Sequence, residues 1–440
     1  MNYPDALAYL GQTRRFGMKL GLESMHELAC VLGSPQDGLR FIHIAGTNGK
    51  GSTAAFCESC LRAAGFRVGL YTSPHLVSVR ERIQINRELI AEADFSEGME
   101  AIRRAAEQAN QEPTYFELMT ALALWYFGRE KVDWVVWETG LGGRLDATNI
   151  VTPEICIITN IGLEHQQYLG QTLAEIAGEK AGIIKPGVPI VSAVEEGEAL
   201  NVVHARASEL GSSLTLASGD VQVDDLGLSH GRQVGFIGHH RFYLGLMGPH
   251  QVLNAACAVE AMREIGLEES AIATGLESAS WPGRFEILSE RPLVVIDGAH
   301  NGAGMKMLVE TWRAFLAAKF GWKPEESDGR ARIIFGSVAD KDVTEMAQLL
   351  RPIAKEVALV RLANERTADP RQLAPAFGDL PVTCYDSVSD AWQSAQESDP
   401  SSVTLITGSL FLIGEMLARR QGIGEEYQLN ERLEKPADSR

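Results

Sequence analysis

The chain reads as an α/β protein, a doubly wound domain followed by a smaller α/β domain. Three observations predict this. Short β-rich runs alternate with helical patterns through most of the 440 residues. Runs such as Trp134-Val135-Val136-Trp137 and Ile155-Cys156-Ile157-Ile158 are apolar on both faces, as strands covered by helices on each side must be. The apolar run Phe41-Ile42-His43-Ile44 leads directly into Ala45-Gly46-Thr47-Asn48-Gly49-Lys50-Gly51-Ser52-Thr53, a glycine turn carrying a lysine and hydroxyls.

That turn has the order a nucleotide-phosphate cradle needs. Glycines let backbone N–H groups face the phosphates, Lys50 supplies a point charge, and a helix opening near Gly51 presents its positive dipole end. The segment points to ATP and makes the first domain P-loop ATPase-like. It departs from the Walker pattern G-x-x-x-x-G-K-[ST], because Gly51 separates Lys50 from Ser52 and Gly46 lies close before Gly49. A turn that merely joins strand to helix is the plainer reading, but it needs neither the lysine nor the hydroxyl pair.

In chain order, strands are expected at 41–45, 68–72, 132–138, 155–161 and 188–192, with helices near 52–64, 116–127 and 173–184. The region 212–246, rich in glycine and weakly alternating, reads as hairpins at the domain's edge. A helix follows over 251–265. After Trp281-Pro282-Gly283-Arg284 the alternation restarts, with strands at 293–296, 333–335, 357–360, 382–384 and 403–406. This second set reads as a Rossmann-like α/β domain without a phosphate loop of its own. The expected boundaries are 1–285 and 286–422, and the polar stretch 423–440 reads as a flexible tail.

Composition narrows the function classes. Hydrophobic residues at 45% and charged ones at 22% are globular values. A net charge of -18 argues against a general nucleic-acid or anionic-membrane binder, since phosphate backbones reward clustered Lys and Arg. The N-terminus lacks a basic segment leading into an apolar one, and no apolar stretch approaches the roughly 20 residues of a membrane helix. A cytoplasmic protein is expected. The six cysteines are scattered, which suits a reducing compartment, and Cys57 and Cys60 read as buried thiols in the helix after the loop.

Four segments fall at the carboxyl ends of predicted parallel strands, where doubly wound sheets place ligands. They are 46–52, 71–75, 138–146 and 160–165. Glu138, ending an apolar strand beside the cradle, is suited to hold Mg²⁺ directly or through water, or is a solvated loop glutamate. Ser73 precedes a proline and is equally a turn cap. An isolated histidine such as His165 is more often structural than a ligand, and magnesium prefers oxygen donors. Lys180 reads as a surface lysine paired with a neighbouring acid. In the second domain Asp297-Gly298-Ala299-His300-Asn301 follows an apolar strand and reads as ligand contact or as a helix cap by Asn301. Thr407-Gly408-Ser409 repeats that placement.

Taken together and in order, these segments resemble the Mur ligase superfamily, and more closely its dihydrofolate synthase/folylpolyglutamate synthase branch. The resemblance covers most of the chain, from Gly21-Leu22-Glu23 through AGTNGKGS, YTSPHL, TYFE, ETGLGGRLDATN, ITNIGLEH, EKAGIIK, GPHQVLNAACA, WPGRFE and DGAHN to TGSLFLIG. It implies an ATP- and Mg²⁺-dependent amide ligase in which a carboxylate is phosphorylated and the amine of L-glutamate attacks the acyl phosphate. The acceptor is a folate or dihydropteroate, and the protein is a monomer. Carried over by position, Thr47, Asn48, Gly49, Lys50, Gly51 and Ser52 hold the triphosphate, with Asn254, Arg284 and Asp297 completing the ATP site. Ser73, Glu138 and His165 ligate magnesium. Lys180 is carbamylated, which turns a cation into a carboxylate serving a second magnesium; Lys50, His165 and Lys180 form the catalytic set. His300 and Ser409 lie near the incoming glutamate. Thr114, Phe116, Glu117, Leu145, Asp146 and Ala147 form the pterin side. The Gly51 insertion is the form this branch carries. Because Asp297 belongs to the second domain, closure of the two domains assembles the site.

Two other readings follow from the same residues. A cell-wall Mur ligase acting on a UDP-linked precursor carries a further N-terminal domain, and only 45 residues precede Gly46. A nucleotide-dependent switch would not need the strand ends of the second domain. Whether the chain is bifunctional or only extends folate tails is left open, although Phe16-Gly17-Met18-Lys19-Leu20 and TYFE are compatible with a bacterial bifunctional enzyme.

Overall fold

Strand β1 (Phe41–Ala45) sits at the centre of the first sheet, and its side chains divide between two cores by the two-residue period of a strand. Phe41 joins one apolar cluster with Tyr71, Val135 and Trp137, while Ile42 and Ile44 join another with Trp134, Val136 and Ile157. Helices therefore cover both faces, as the doubly apolar runs require. The computed structural model describes residues 1–430 except 15, 16, 18, 20, 340, 397, 398 and 400.

The first sheet contains β1, β2 (Val68–Tyr71), β3 (Ile83–Ile85), β4 (Glu88–Leu89), β5 (Trp134–Glu138), β6 (Ile155–Ile158), β7 (Ile190–Ser192) and β8 (Leu214–Leu216). Their order is β4-β3-β2-β5-β1-β6-β7-β8, parallel from β2 to β8 and extended by the antiparallel β3 and β4. Within the stretch read as hairpins, β9 (Val223–Ser229), β10 (Arg232–Ile237) and β11 (His240–Leu244) form a separate antiparallel sheet. Its first strand, β8, instead pairs parallel with β7. The second domain's sheet runs β12 (Glu286–Glu290), β13 (Leu293–Ile296), β17 (Val403–Thr407), β14 (Ala331–Phe335), β15 (Ala354–Val360) and β16 (Val382–Tyr385), parallel apart from β12.

The helix after the glycine turn spans Lys50–Ala63 and is built of small residues, so a neighbour can lie very close. Helix Glu269–Ser278 does so at Gly275, where a Cβ would fall 2.3 Å from the Cys60 Cα. Cys57 and Cys60 are buried, and burial raises both thiols above their ordinary range. Helix Tyr115–Glu130 begins with a reciprocal cap. The Thr114 hydroxyl accepts the Glu117 N–H, and the Glu117 carboxylate accepts the Thr114 N–H at 2.7 Å. Thr114→Ala is expected to cost about 1–2 kcal/mol, read as a lower urea midpoint at unchanged slope.

The domains meet through the loop after β2. Leu76 and Val77 leave the first domain and pack into the second domain's core with Ile296, Ile413 and Leu417. Gly414 makes this possible, since a Cβ there would sit 2.1 Å from the Leu76 carbonyl oxygen.

Residues 423–430 fall within the stretch read as a flexible tail. Glu425–Gln428 forms a short 3-10 turn, and Glu426, Leu429 and Asn430 bond to first-domain residues. Residues 431–440 lie outside the described residues, as do Phe16, Met18 and Leu20 of the 16–20 segment. No described helix is long and apolar enough to cross a membrane.

Candidate active site

The phosphate-type loop is shaped by two left-handed or extended glycines. Gly49 has φ of 85° and turns the chain into the helix; the first intrahelical bond runs from Thr53 N–H to Gly49 C=O. The N–H groups of Lys50, Gly51 and Ser52 precede that bond, the arrangement that makes helix N-termini receptive to anions. Gly46, at φ 152°, lies against Thr159, and a Cβ would meet Thr159 Oγ1 at 1.8 Å. Thr159 Oγ1 donates to the Asn48 carbonyl at 2.7 Å, and Asn160 receives both the Asn48 N–H at 2.8 Å and the Thr47 N–H at 2.9 Å. Thr159 and Asn160 thus hold the loop's path. Both end the β6 run, and their polarity after an apolar strand is the signal that marks them.

Two lysines converge on one oxygen. Lys50 Nζ donates to the carbonyls of Gly46 at 3.0 Å and Thr47 at 3.2 Å, and Lys180 Nζ donates to the same Gly46 carbonyl at 2.8 Å. Lys180 is 4% exposed, which rules out a surface lysine paired with an acid. Burial, with Lys50 beside it, lowers its pKa to about 7, which favours the uncharged amine relative to an exposed lysine. Across the loop Glu138, buried at the end of β5, accepts the Ser73 N–H at 3.0 Å. Burial raises it to about 7, opposed by Lys50 and the Ser73 bond. His165 is held low, to about 4, chiefly by burial, and is neutral at pH 7.

Other predicted residues gather around these. Asn254 faces Gly49, where a Cβ would fall 2.4 Å from its Oδ1. Its Nδ2 donates to Gln251, whose own amide donates to Ser52 Oγ at 3.3 Å. Asp297 is clamped by the Phe285 N–H at 2.9 Å and the Ala299 N–H at 2.8 Å. Asn301 Oδ1 caps the following helix through Gly304 N–H, so the cap reading holds, while its Nδ2 donates to Asn48 Oδ1 across the domains at 3.2 Å. A cavity of about 620 Å³ is lined by Asn254, Arg284, Asp297 and Asn301. A second, of about 250 Å³, is lined by Lys50, Ser73, Glu138, His165 and Ser409. Asn48, Gly49, Ser52, Arg284 and His300 line both.

Glu164 carries no mark of its own in the sequence beyond its place at a strand end. It lies 3.8 Å from His165 and from His300 and 3.5 Å from Lys341, joining both domains. Burial opposes its ionisation, but the His300 hydrogen bond and the nearby Lys341 ammonium hold its carboxyl well below the usual range. Thr114, Phe116, Glu117, Leu145, Asp146 and Ala147 line neither cavity. Of these, Phe116 lies behind Gly140, which lines the smaller one and whose Cβ would meet the Phe116 ring at 2.4 Å. Asp146 caps the turn Ala147–Ile150 and accepts the Leu141 N–H.

No three His, Cys, Asp or Glu side chains converge as a metal cage among the described residues. Magnesium does not need one, because it is commonly held by one or two carboxylates with water and substrate phosphates. Glu138 and Ser73, lining one cavity with the phosphate-type loop, carry oxygen donors of the kind that ion takes.

Fold and cleft together define a two-domain ligase of the Mur type, with a phosphate loop in one domain and strand-end polar groups of the other facing it. Residues 44–262 match the Mur ligase middle domain, and residues 283–410 match the Mur ligase glutamate ligase domain. The chain is 36% identical over 434 residues to the dihydrofolate synthase/folylpolyglutamate synthase of Bacillus subtilis, covering 95% of this chain and 99% of that one. Its counterpart from Escherichia coli is 34% identical over 425 residues, covering 94% and 96%. The folylpolyglutamate synthase structure from Thermotoga maritima superposes with a TM-score of 0.84 at 33% identity, covering 97% and 98%. The E. coli FolC structure, in complex with DHPP and ADP, gives 0.83 at 32%, covering 96% and 98%. The chain belongs to the dihydrofolate synthase/folylpolyglutamate synthase family.

Proposed function

We propose that this protein is an ATP-dependent ligase that joins L-glutamate to the carboxylate of a folate, and to dihydropteroate by the same chemistry. The observation that carries this reading is the convergence of loop 46–52 and the second-domain strand end 297–301 on one cleft, bridged by Asn48 and Asn301. The relatives named for this activity align over nearly their whole length.

In this reading an acceptor carboxylate oxygen attacks the γ-phosphorus and ADP leaves, forming an acyl phosphate. The glutamate amine, having lost a proton, attacks the acyl carbon, and phosphate departs with the former carboxylate oxygen. The chain's part is positioning and charge. The N–H groups of Lys50, Gly51 and Ser52 and the Lys50 ammonium receive the phosphates, and Arg284, facing both cavities, sits between nucleotide and acceptor. Asn254 and Asp297 complete the nucleotide site. Ser73, Glu138 and His165 would hold Mg²⁺, with a carbamate on Lys180 serving a second ion. Magnesium, when bound, neutralises charge on the phosphate oxygens. His300 and Ser409 face the glutamate side. Phe116, behind Gly140, would form an apolar wall on the pterin side with Leu145 and Ala147, assigned there by resemblance. Glu117 Oε1 is buried without a hydrogen-bond partner among the described residues. The protein would act as a cytoplasmic monomer, binding neither nucleic acid nor membrane.

The test is amide product formation with dihydropteroate and with reduced folate, side by side, using ATP and L-glutamate. Activity with both is expected. Activity with reduced folate alone would remove the dihydropteroate half, and glutamate-independent phosphate release would favour a nucleotide switch. Gly46→Ala tests the loop separately. The added Cβ collides with Thr159 and forces an unfavourable φ, so ADP binding by calorimetry is expected to weaken by about tenfold or more.

A further inference from the structure

The short C-terminal turn brings together residues that sequence distance hides. Helix Leu410–Gln421 ends at Gly422, and the chain then crosses back to the first domain. Glu426 accepts the Ser78 hydroxyl at 2.6 Å and the Tyr3 hydroxyl at 2.9 Å. Its backbone carbonyl lies 3.2 Å from His75 Nε2, while Arg82 Nε donates to His75 Nδ1 at 3.0 Å. The two contacts fix one tautomer: Nδ1 accepts, so Nε2 carries the proton and donates to the carbonyl. Asn430 Oδ1 accepts from Arg82 Nη2 at 2.8 Å, and the Tyr115 hydroxyl donates to the Leu429 carbonyl. Arg82 is fully buried, a position a guanidinium holds only when well partnered.

We propose that residues 425–430 are a clasp of the active site. Glu426 and Asn430 are positioning residues that fix the 73–82 loop, and with it the acceptor end of the smaller cavity. The loop so held contains Ser73, whose N–H orients Glu138, and Asn430 itself lines the cavity with Ser73 and Glu138. The same loop is gripped from the second domain, where Leu76 is packed against Gly414. Clasp and core contact therefore act on one segment. Its contacts with Tyr115 put it at the start of the helix that carries Phe116 and Glu117. The acceptor, more than the nucleotide, is the substrate it positions.

This inference rests on the ligase reading, and two kinds of measurement separate their failures. Steady-state kinetics of Asn430→Ala and Glu426→Ala are expected to show acceptor KM raised about tenfold, with ATP KM within about twofold of wild type. Glu426→Gln, whose amide oxygen still accepts both hydroxyls, is expected to restore acceptor KM. Hydrogen exchange needs no turnover. The Leu76, Val77 and Ser78 amides, held on the Glu81 carboxylate, are expected to exchange faster in Glu426→Ala at an unchanged global unfolding midpoint. Wild-type acceptor KM in both alanine variants would overturn the clasp, and so would a parallel loss of ADP affinity and unfolding midpoint, which marks a merely structural role. A wild-type enzyme inactive with both acceptors would sink the ligase reading and the acceptor role with it, while faster loop exchange in Glu426→Ala would still report the hold of residues 425–430 on the 73–82 loop.

Discussion

Lys50→Ala is expected to lower the ligation rate on the order of 10²–10³-fold while leaving the unfolding midpoint near wild type. The reasoning starts from what the ammonium touches. Two of its three N–H donors reach carbonyls of its own loop, and a lysine held there is pre-placed for an oxyanion arriving at the adjacent N–H groups. Removing it takes away charge neutralisation at the phosphates, which grows as the γ-phosphoryl group transfers, so kcat is expected to fall more than ATP affinity. Lys50→Arg is not a rescue, because a planar fork cannot replace a point charge between two carbonyls. Normal turnover in Lys50→Ala, measured as amide formed per enzyme, would discard the cradle assignment.

The second large effect is at Lys180. Lys180→Ala is expected to lose activity on the order of 10²-fold and to recover part of it with formate or acetate, which supply the carboxylate a carbamate would have placed there. A pKa near 7 sets the pH dependence. Only the uncharged amine attacks CO₂, so at fixed dissolved CO₂ the reactivation of stripped enzyme by bicarbonate is expected to quicken between pH 6 and pH 8. The stability sign runs in the same direction. The folded value lies below the ordinary 10.5, the unfolded chain binds more protons between about pH 7 and 10.5, and unmodified protein gains stability from this group as pH rises through that window. Full activity of Lys180→Ala without added bicarbonate or short carboxylates would count against the role.

Much of the fold is legible in the sequence because its strands are apolar on both faces and its ligand-facing residues follow them directly. Gly46 to Ser52, Glu138 and His165 follow such runs in the first sheet, whose topology carries those ends to one rim, and Asp297 follows a strand of the second sheet that faces them across the cleft. What escapes depends on partners far away in the chain. Residues 425–430 are polar and lack an apolar face, so composition reads them as a tail, yet their hydroxyl, imidazole and guanidinium partners lie at Tyr3, Ser78, His75 and Arg82. Lys180 reads as a surface residue because helical spacing cannot say that its face turns under the glycine loop. Glu164 is a strand-end acid like Glu138, but its meaning comes from His300 and Lys341 of the other domain. Thr114 and Asp146, assigned to substrate by resemblance, spend hydrogen bonds on capping their own helical turns, so substitutions there mix a stability effect with any effect on KM.

The most direct test of acyl-phosphate ligation follows oxygen. Dihydropteroate or reduced folate carrying ¹⁸O in its reacting carboxylate is turned over with ATP and L-glutamate, and the released phosphate is examined by mass spectrometry. One labelled oxygen in phosphate for each amide formed is expected, since that oxygen bridges carbon and phosphorus before it leaves. Amide formation with unlabelled phosphate would contradict the acyl phosphate and, with it, the role of the cleft between loop 46–52 and Asp297 as the place where that intermediate forms.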